Sequence, residues 1–203
     1  EVDVSEARQR FHDTFARVWS GEVEDDDFND LILAGLDWRQ VVVLRAYAKY
    51  LTQANAPFSQ AYVERTLAMN PGIALLLVQL FVARFDPDNR ADVEARSDAI
   101  RRAINEALDG VASLDEDRIL RRYLNLIEVT LRTNFFQLDE HGEYKNYVSF
   151  KFDSSKVEDL PEPRPWREIF VYSARVEAVH LRGGPVARGG IRWSDRREDF
   201  RTE

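Results

Sequence analysis

The chain has 203 residues, with 28 Lys and Arg against 36 Asp and Glu, a net charge of −8, and 44% hydrophobic residues. That length holds one large domain or two small ones, and the apolar fraction suffices for a buried core, far from the composition of disordered chains. With no cysteine there is no disulfide, thiolate metal site or cysteine nucleophile; His12, His141 and His180 lack zinc-ligand spacing, and a negative chain lacks the basic footprint of a nucleic-acid binder.

The charge is unevenly divided. Residues 1–100 hold 10 bases and 17 acids (net −7), whereas residues 101–203 hold 18 and 19 (net −1). The acidity peaks in Glu22, Glu24, Asp25, Asp26, Asp27 and Asp30, a run with no neighbouring base that reads as a solvated loop and helix start. No lysine follows Lys156. The longest nearly apolar stretch, Ile73 to Ala83, is far below the roughly 20 residues that span a bilayer. No leader-like segment opens the chain, which reads as an excerpt from a longer polypeptide.

In chain order, Ala7, Phe11, Phe15, Val18 and Trp19 recur at helical period, so a helix is predicted from Ser5 to Trp19 with one apolar stripe. Asp26 or Asp27 caps a short helix bearing Phe28, Leu31 and Ile32, which Gly35 ends. Asp37 caps a helix from Trp38 to Gln53, with Val41, Val42, Leu44, Ala48 and Leu51 inward. A shorter helix follows over Ser59–Ala68. Pro71 opens the next at its first turn, and that helix, apolar nearly all round to Phe85, is expected at the buried centre of a bundle. Asp92 to Ala107 and a segment started by the Ser113/Glu116 capping box, carrying Ile119, Tyr123, Leu126 and Ile127, complete the helices.

After Arg132 the pattern turns to strands. Phe135-Phe136 and Tyr147–Phe152 read as two strands around Asp139–Gly142, with their aromatics in the core. Three prolines at 161, 163 and 165 read as a stiff connector, and Glu168–Tyr172 and Arg175–Leu181 as further strands around Ser173-Ala174. The fold class is therefore α+β: a helical region over residues 1–133 and a β-rich segment over 134–203.

Gly183, Gly184, Gly189 and Gly190 fall within eight residues, beside Arg182, Arg188 and Arg192. Paired glycines let a backbone approach a ligand with its N–H groups exposed, and a guanidinium matches a carboxylate or phosphate. An anion-binding loop and a glycine-rich hairpin before a charged helix start both remain open on the residues alone. Neither a P-loop nor G-x-G-x-x-G is present. Ser194 and Asp195 fit an N-cap for a helix over 196–202, and His180 at a strand end reads as a packed residue.

The run from Leu160 to Glu203, above all Phe170-Val171-Tyr172-Ser173, His180-Leu181-Arg182-Gly183-Gly184 and Ala187-Arg188-Gly189-Gly190-Ile191-Arg192-Trp193-Ser194-Asp195, resembles the large NAD-specific glutamate dehydrogenases of bacteria. Leu44–Leu51, Pro57–Tyr62 and Ala83–Pro87 resemble the part of those enzymes just before the catalytic domain. The resemblance implies oxidative deamination of glutamate to 2-oxoglutarate and ammonia with NAD as cofactor, in a cytoplasmic homo-oligomer without membrane or nucleic-acid partners. It implies that Arg188, standing where smaller relatives carry a lysine, receives the substrate carboxylate with the backbone of Gly189 and Gly190. Arg192, Ser194 and Asp195 then structure the loop. No catalytic, cofactor-binding or metal residue is expected within the chain: the catalytic lysine and the dinucleotide fold are absent, so the segment alone is expected to be inactive. The alternative from the residues is a non-catalytic helical interaction or oligomerisation domain that docks through its acidic face.

Overall fold

In a computed structural model of the chain the structure describes residues 4–186. Six α-helices come first: α1 (Val4–Trp19), α2 (Trp38–Gln53), α3 (Gln60–Met69), α4 (Pro71–Phe85), α5 (Val93–Leu108) and α6 (Leu114–Val129), with a 3-10 turn at Asp27–Ile32 between the first two. Four strands follow, β1 (Thr130–Thr133), β2 (Val148–Phe152), β3 (Arg167–Tyr172) and β4 (Glu177–Arg182), in one antiparallel sheet of order β1-β2-β3-β4. The class is α+β, helices first and sheet after.

The helix starts follow local chemistry. Asp37 Oδ1 accepts from Gln40 N at 2.8 Å while Gln40 Oε1 accepts from Asp37 N at 2.9 Å, a reciprocal capping box that satisfies two otherwise orphaned donors. Ser59 caps α3 and Ser113 caps α6, and Pro71 occupies the first turn of α4. The Glu116 carboxylate accepts from Asn70 Nδ2 at 3.2 Å, joining α6 to the α3–α4 junction. Asp92, before α5, has φ +51° and makes no side-chain cap.

The buried centre is α2 rather than α4. Every residue from Val43 to Leu51 is buried, including Arg45 and Lys49, because α2 lies between the other helices and the sheet. On α4 Gln79 is exposed, with Leu77, Leu80 and Phe81 buried on the core side. The uniformly apolar composition of α4 therefore does not mark the hub; α2 hosts polar groups there because each has a charged or hydrogen-bonding partner. Tyr47 on α2 stacks on Phe150 of β2 with centroids 4.4 Å apart, and Tyr50 meets Phe152 at 4.4 Å. Register places Phe150 opposite Phe170 and Val148 opposite Tyr172, so the inner face of the sheet and the helices share one core.

Helix α1 is as expected, and three further expectations are corrected. Helix α1 forms where its period predicts, yet Phe11, Phe15 and Trp19 are 55%, 58% and 84% exposed; they stack on one another at 6.3 and 6.2 Å, and only Thr14 is buried. Phe135 and Phe136 occupy a turn, not a strand. The first strand continues directly from α6, and the Phe135 ring meets Phe81 edge-on at 5.3 Å. Tyr147 lies just before β2 and is 40% exposed, because the core face of β2 begins at Val148. The proline segment is not a detached connector: Leu160 is buried, and Arg164 Nε donates to its carbonyl at 3.1 Å.

Among the described residues no single helix is long and apolar enough to cross a membrane; α3 and α4 together reach that length but meet at 97°.

Candidate functional site

Arg188, Gly189, Gly190, Arg192, Ser194 and Asp195 lie outside the described residues. The structure describes the approach to them. Among the described residues strand β4 pairs with β3 alone, and after Arg182 the chain passes through Gly183 and Gly184. A Cβ at either glycine would meet nothing within 4 Å, and neither has a positive φ, so the local backbone does not itself demand glycine there. Arg182 Nη2 donates to the Pro185 carbonyl, and Trp166 packs beneath the guanidinium groups of Arg167 and Arg182, at 4.4 and 5.7 Å. His180 stands opposite Ile169 and is half-buried, as its packed reading requires.

Beneath this approach lies a polar seam that sequence reasoning missed. Glu168 and Glu177 are buried on the helix-facing side of the sheet. Tyr50 Oη donates to Glu168 Oε2 at 2.5 Å, and Gln53 Nε2 to Glu177 Oε2 at 3.3 Å, so two consecutive turns of α2 grip the acids of β3 and β4. The signal was present, since the two-residue strand period puts Glu168 in phase with Phe170 and Tyr172. Tyr172 Oη reaches Glu24 Oε1 at 3.2 Å, and Lys49 Nζ lies 2.8 Å from Glu24 Oε2. Burial pushes the Tyr172 hydroxyl far above its ordinary pKa, so it stays a neutral donor.

The acidic run is consequently not simply solvated. Arg45 Nε and Nη2 hold Asp26 Oδ2 and Oδ1 at 2.7 and 2.6 Å, and Nη2 also donates to Asn29 Oδ1 at 2.8 Å. Desolvation opposes the Arg45 charge, but Asp26, Tyr172 and Glu24 together outweigh it and the guanidinium pKa is raised. The bases absent from the neighbouring sequence arrive from α2, 19 and 25 positions along the chain. Asp25, Asp27 and Asp30 remain exposed.

A separate concavity opens where α1, the start of α2 and the 144–148 segment meet, lined among others by Arg17, Trp38, Arg39, Phe135, Tyr144 and Lys145. The Arg39 guanidinium lies 3.8 Å from the Tyr144 centroid and 4.5 Å from that of Phe135, and Nη2 donates to the Phe135 carbonyl. Burial lowers its pKa, partly offset by Tyr144 and Asp37. Arg17 lies 3.9 Å over the Trp38 ring and pairs with Glu22 at 2.6 Å. Among the described residues no three His, Asp or Glu side chains converge as a metal site.

Comparison with known proteins places these parts in one family. Residues 103–203 match the bacterial NAD-glutamate dehydrogenase catalytic domain, and residues 23–87 match the glutamate dehydrogenase helical motif 3. The first match begins within α5 and runs through the sheet and the glycine-rich loop; the second spans the acidic run, α2, α3 and α4. An NAD-specific glutamate dehydrogenase of Halomonas elongata is 52% identical over 100% of this chain and 13% of its own length. The enzyme so named in Pseudomonas aeruginosa is 51% identical, with the same coverage, and that of Mycobacterium tuberculosis is 49% identical over 96% of this chain and 12% of its own length. The chain thus spans about an eighth of the length of these relatives. Two family matches and an identity near one half along the whole chain agree: the chain belongs to the bacterial NAD-specific glutamate dehydrogenases.

Proposed function

We propose that these residues form the glutamate-carboxylate side of the substrate pocket in an enzyme that converts L-glutamate, NAD and water to 2-oxoglutarate, ammonia and NADH. The observation that carries the reading is the identity of about one half with three enzymes named NAD-specific glutamate dehydrogenase, extending over the whole glycine-rich block in the first two. In this reading residues 134–203 begin the substrate-binding domain and residues 1–133 are the helical region that supports it. Arg188 supplies the cation, and the backbone N–H groups of Gly189 and Gly190 complete the cradle for the carboxylate. Arg192, Ser194 and Asp195 hold the loop in shape.

NAD, when bound, accepts the hydride. No G-x-G-x-x-G occurs in this sequence, so its residues do not fit a dinucleotide site, and NAD is assigned to other parts of the protein. The same holds for the catalytic lysine, since no lysine follows Arg188. The segment contributes binding and orientation and is inactive alone; the whole protein works as a cytoplasmic homo-oligomer. What the chain supplies physically is a fixed edge: β4 is paired to β3 along its length, and the sheet is bonded to α2 through Tyr50 and Gln53. Placing a cation to within a fraction of an ångström requires such a support.

Steady-state kinetics of the full-length protein test the assignment. Arg188→Ala raises the KM for glutamate at least about tenfold, equivalent to about 1.4 kcal/mol of lost carboxylate binding, with Arg188→Lys recovering part of it. An unchanged KM in Arg188→Ala removes Arg188 from the pocket.

A further inference from the structure

The concavity beside α1 gathers more basic than acidic side chains. Its charged lining consists of Arg17, Arg39, Lys145 and Glu22, in a chain whose net charge is −8. Glu22 is engaged by Arg17 at 2.6 Å. Among the described residues neither Arg39 nor Lys145 pairs with a carboxylate within 4 Å.

Arg39 is held firmly. Tyr144 and Phe135 contact the guanidinium, the Phe135 carbonyl takes Nη2, and Nε is buried with no hydrogen-bond partner among the described residues. Rings against a guanidinium fix its direction without neutralising it, as an acidic neighbour would. The concavity holds about 50 Å³. That is room for a few water-sized atoms, such as those of one carboxylate group.

We propose that this pocket binds the carboxylate of a small organic acid, with Arg39 as its principal donor and Lys145 as the second cation of its wall. The assignment is independent of the glutamate-loop reading, because it uses no residue of the 187–203 segment. The pocket is built from both regions of the chain, α1 and α2 on one side and the loop before β2 on the other. An anion seated there ties the helical region to the first turn of the sheet.

The test uses acetate as the probe on the full-length protein, in saturation-transfer NMR at constant ionic strength with chloride as the balancing anion. Wild type is expected to give a saturable acetate signal. Measured in the Arg188→Gln background, which disables the carboxylate site proposed above, the acetate signal persists, and adding Arg39→Gln or Lys145→Gln weakens it at least tenfold. No saturable signal in Arg188→Gln, as when an acidic side chain from elsewhere in the polypeptide already fills the pocket, overturns the proposal. So does undiminished affinity when Lys145→Gln is added. If Arg39→Gln fails to fold, Lys145→Gln decides the matter, because its partly exposed side chain holds no backbone group among the described residues.

Discussion

Arg45 shows most directly how single residues carry this fold. Its side chain is fully buried and its partner Asp26 is 10% exposed, so neither charge is screened by water. Removing one partner leaves the other buried and uncompensated. Asp26→Ala is expected to cost about 3–5 kcal/mol, read as a fall in the denaturant midpoint, and adding Arg45→Met to that variant recovers most of the loss. Recovery fails if the pair, rather than the stranded charge, carries the energy. Asp153 makes a second case at the end of β2. Desolvation raises its pKa, but the Ser155 hydroxyl, Arg167 and Lys156 outweigh it and hold it below the ordinary carboxylate value. A carboxylate with a depressed folded pKa stabilises the native state above its unfolded pKa of about 3.9, and that contribution disappears as pH falls through the folded value. Asp153→Asn is therefore less stable than wild type at pH 6, and the gap in melting temperature closes on acidification below about pH 4. A gap that persists to pH 2.5 excludes the ionic origin. The arginine partners were not legible locally: Asp26 and Arg45 are 19 positions apart, Asp153 and Arg167 are 14.

At the scale of elements, local sequence chemistry was most informative. Asp37, Ser59 and Ser113 begin α2, α3 and α6, and Pro71 opens α4, because caps act within one turn of the chain. Asp37→Ala removes the capping box and should lower stability by about 1 kcal/mol, detectable as a drop in melting temperature; Asp37→Asn, which keeps the acceptor, retains most of it. The amphipathic pattern of α1 predicted a helix correctly, but its aromatic stripe is exposed among the described residues. A period reports which face is apolar, not what covers it. The turn at Phe135-Phe136 illustrates the converse. Aromatic content suggested a strand, whereas ring packing against Phe81 from a turn satisfies the same burial. Strand alternation would have found Glu168, which a charge-based reading leaves on the surface.

For the molecule as a whole, the decisive feature is the position of α2 between helices and sheet. Tyr47 stacks on Phe150, Tyr50 meets both Phe152 and Glu168, and one hydrophobic core runs through both regions. Phe150→Ala is expected to cost about 3–5 kcal/mol. The far-UV helical signal and the near-UV aromatic signal should then fall together at one lowered temperature; separate transitions would indicate two independently folding regions. The sequence by itself determined the helix starts, the α+β order, the strands around 148–152, 168–172 and 177–181 and, through the block after Leu160, the family resemblance, because caps, periods and motifs are written in neighbouring residues. Only the tertiary structure decided that α2 is the hub, that the acidic run is partly bound to Arg45 and Lys49, and that Arg39 faces a small pocket. Those outcomes depend on charges and rings that meet across long stretches of chain, where burial removes the water that would otherwise make each partner dispensable.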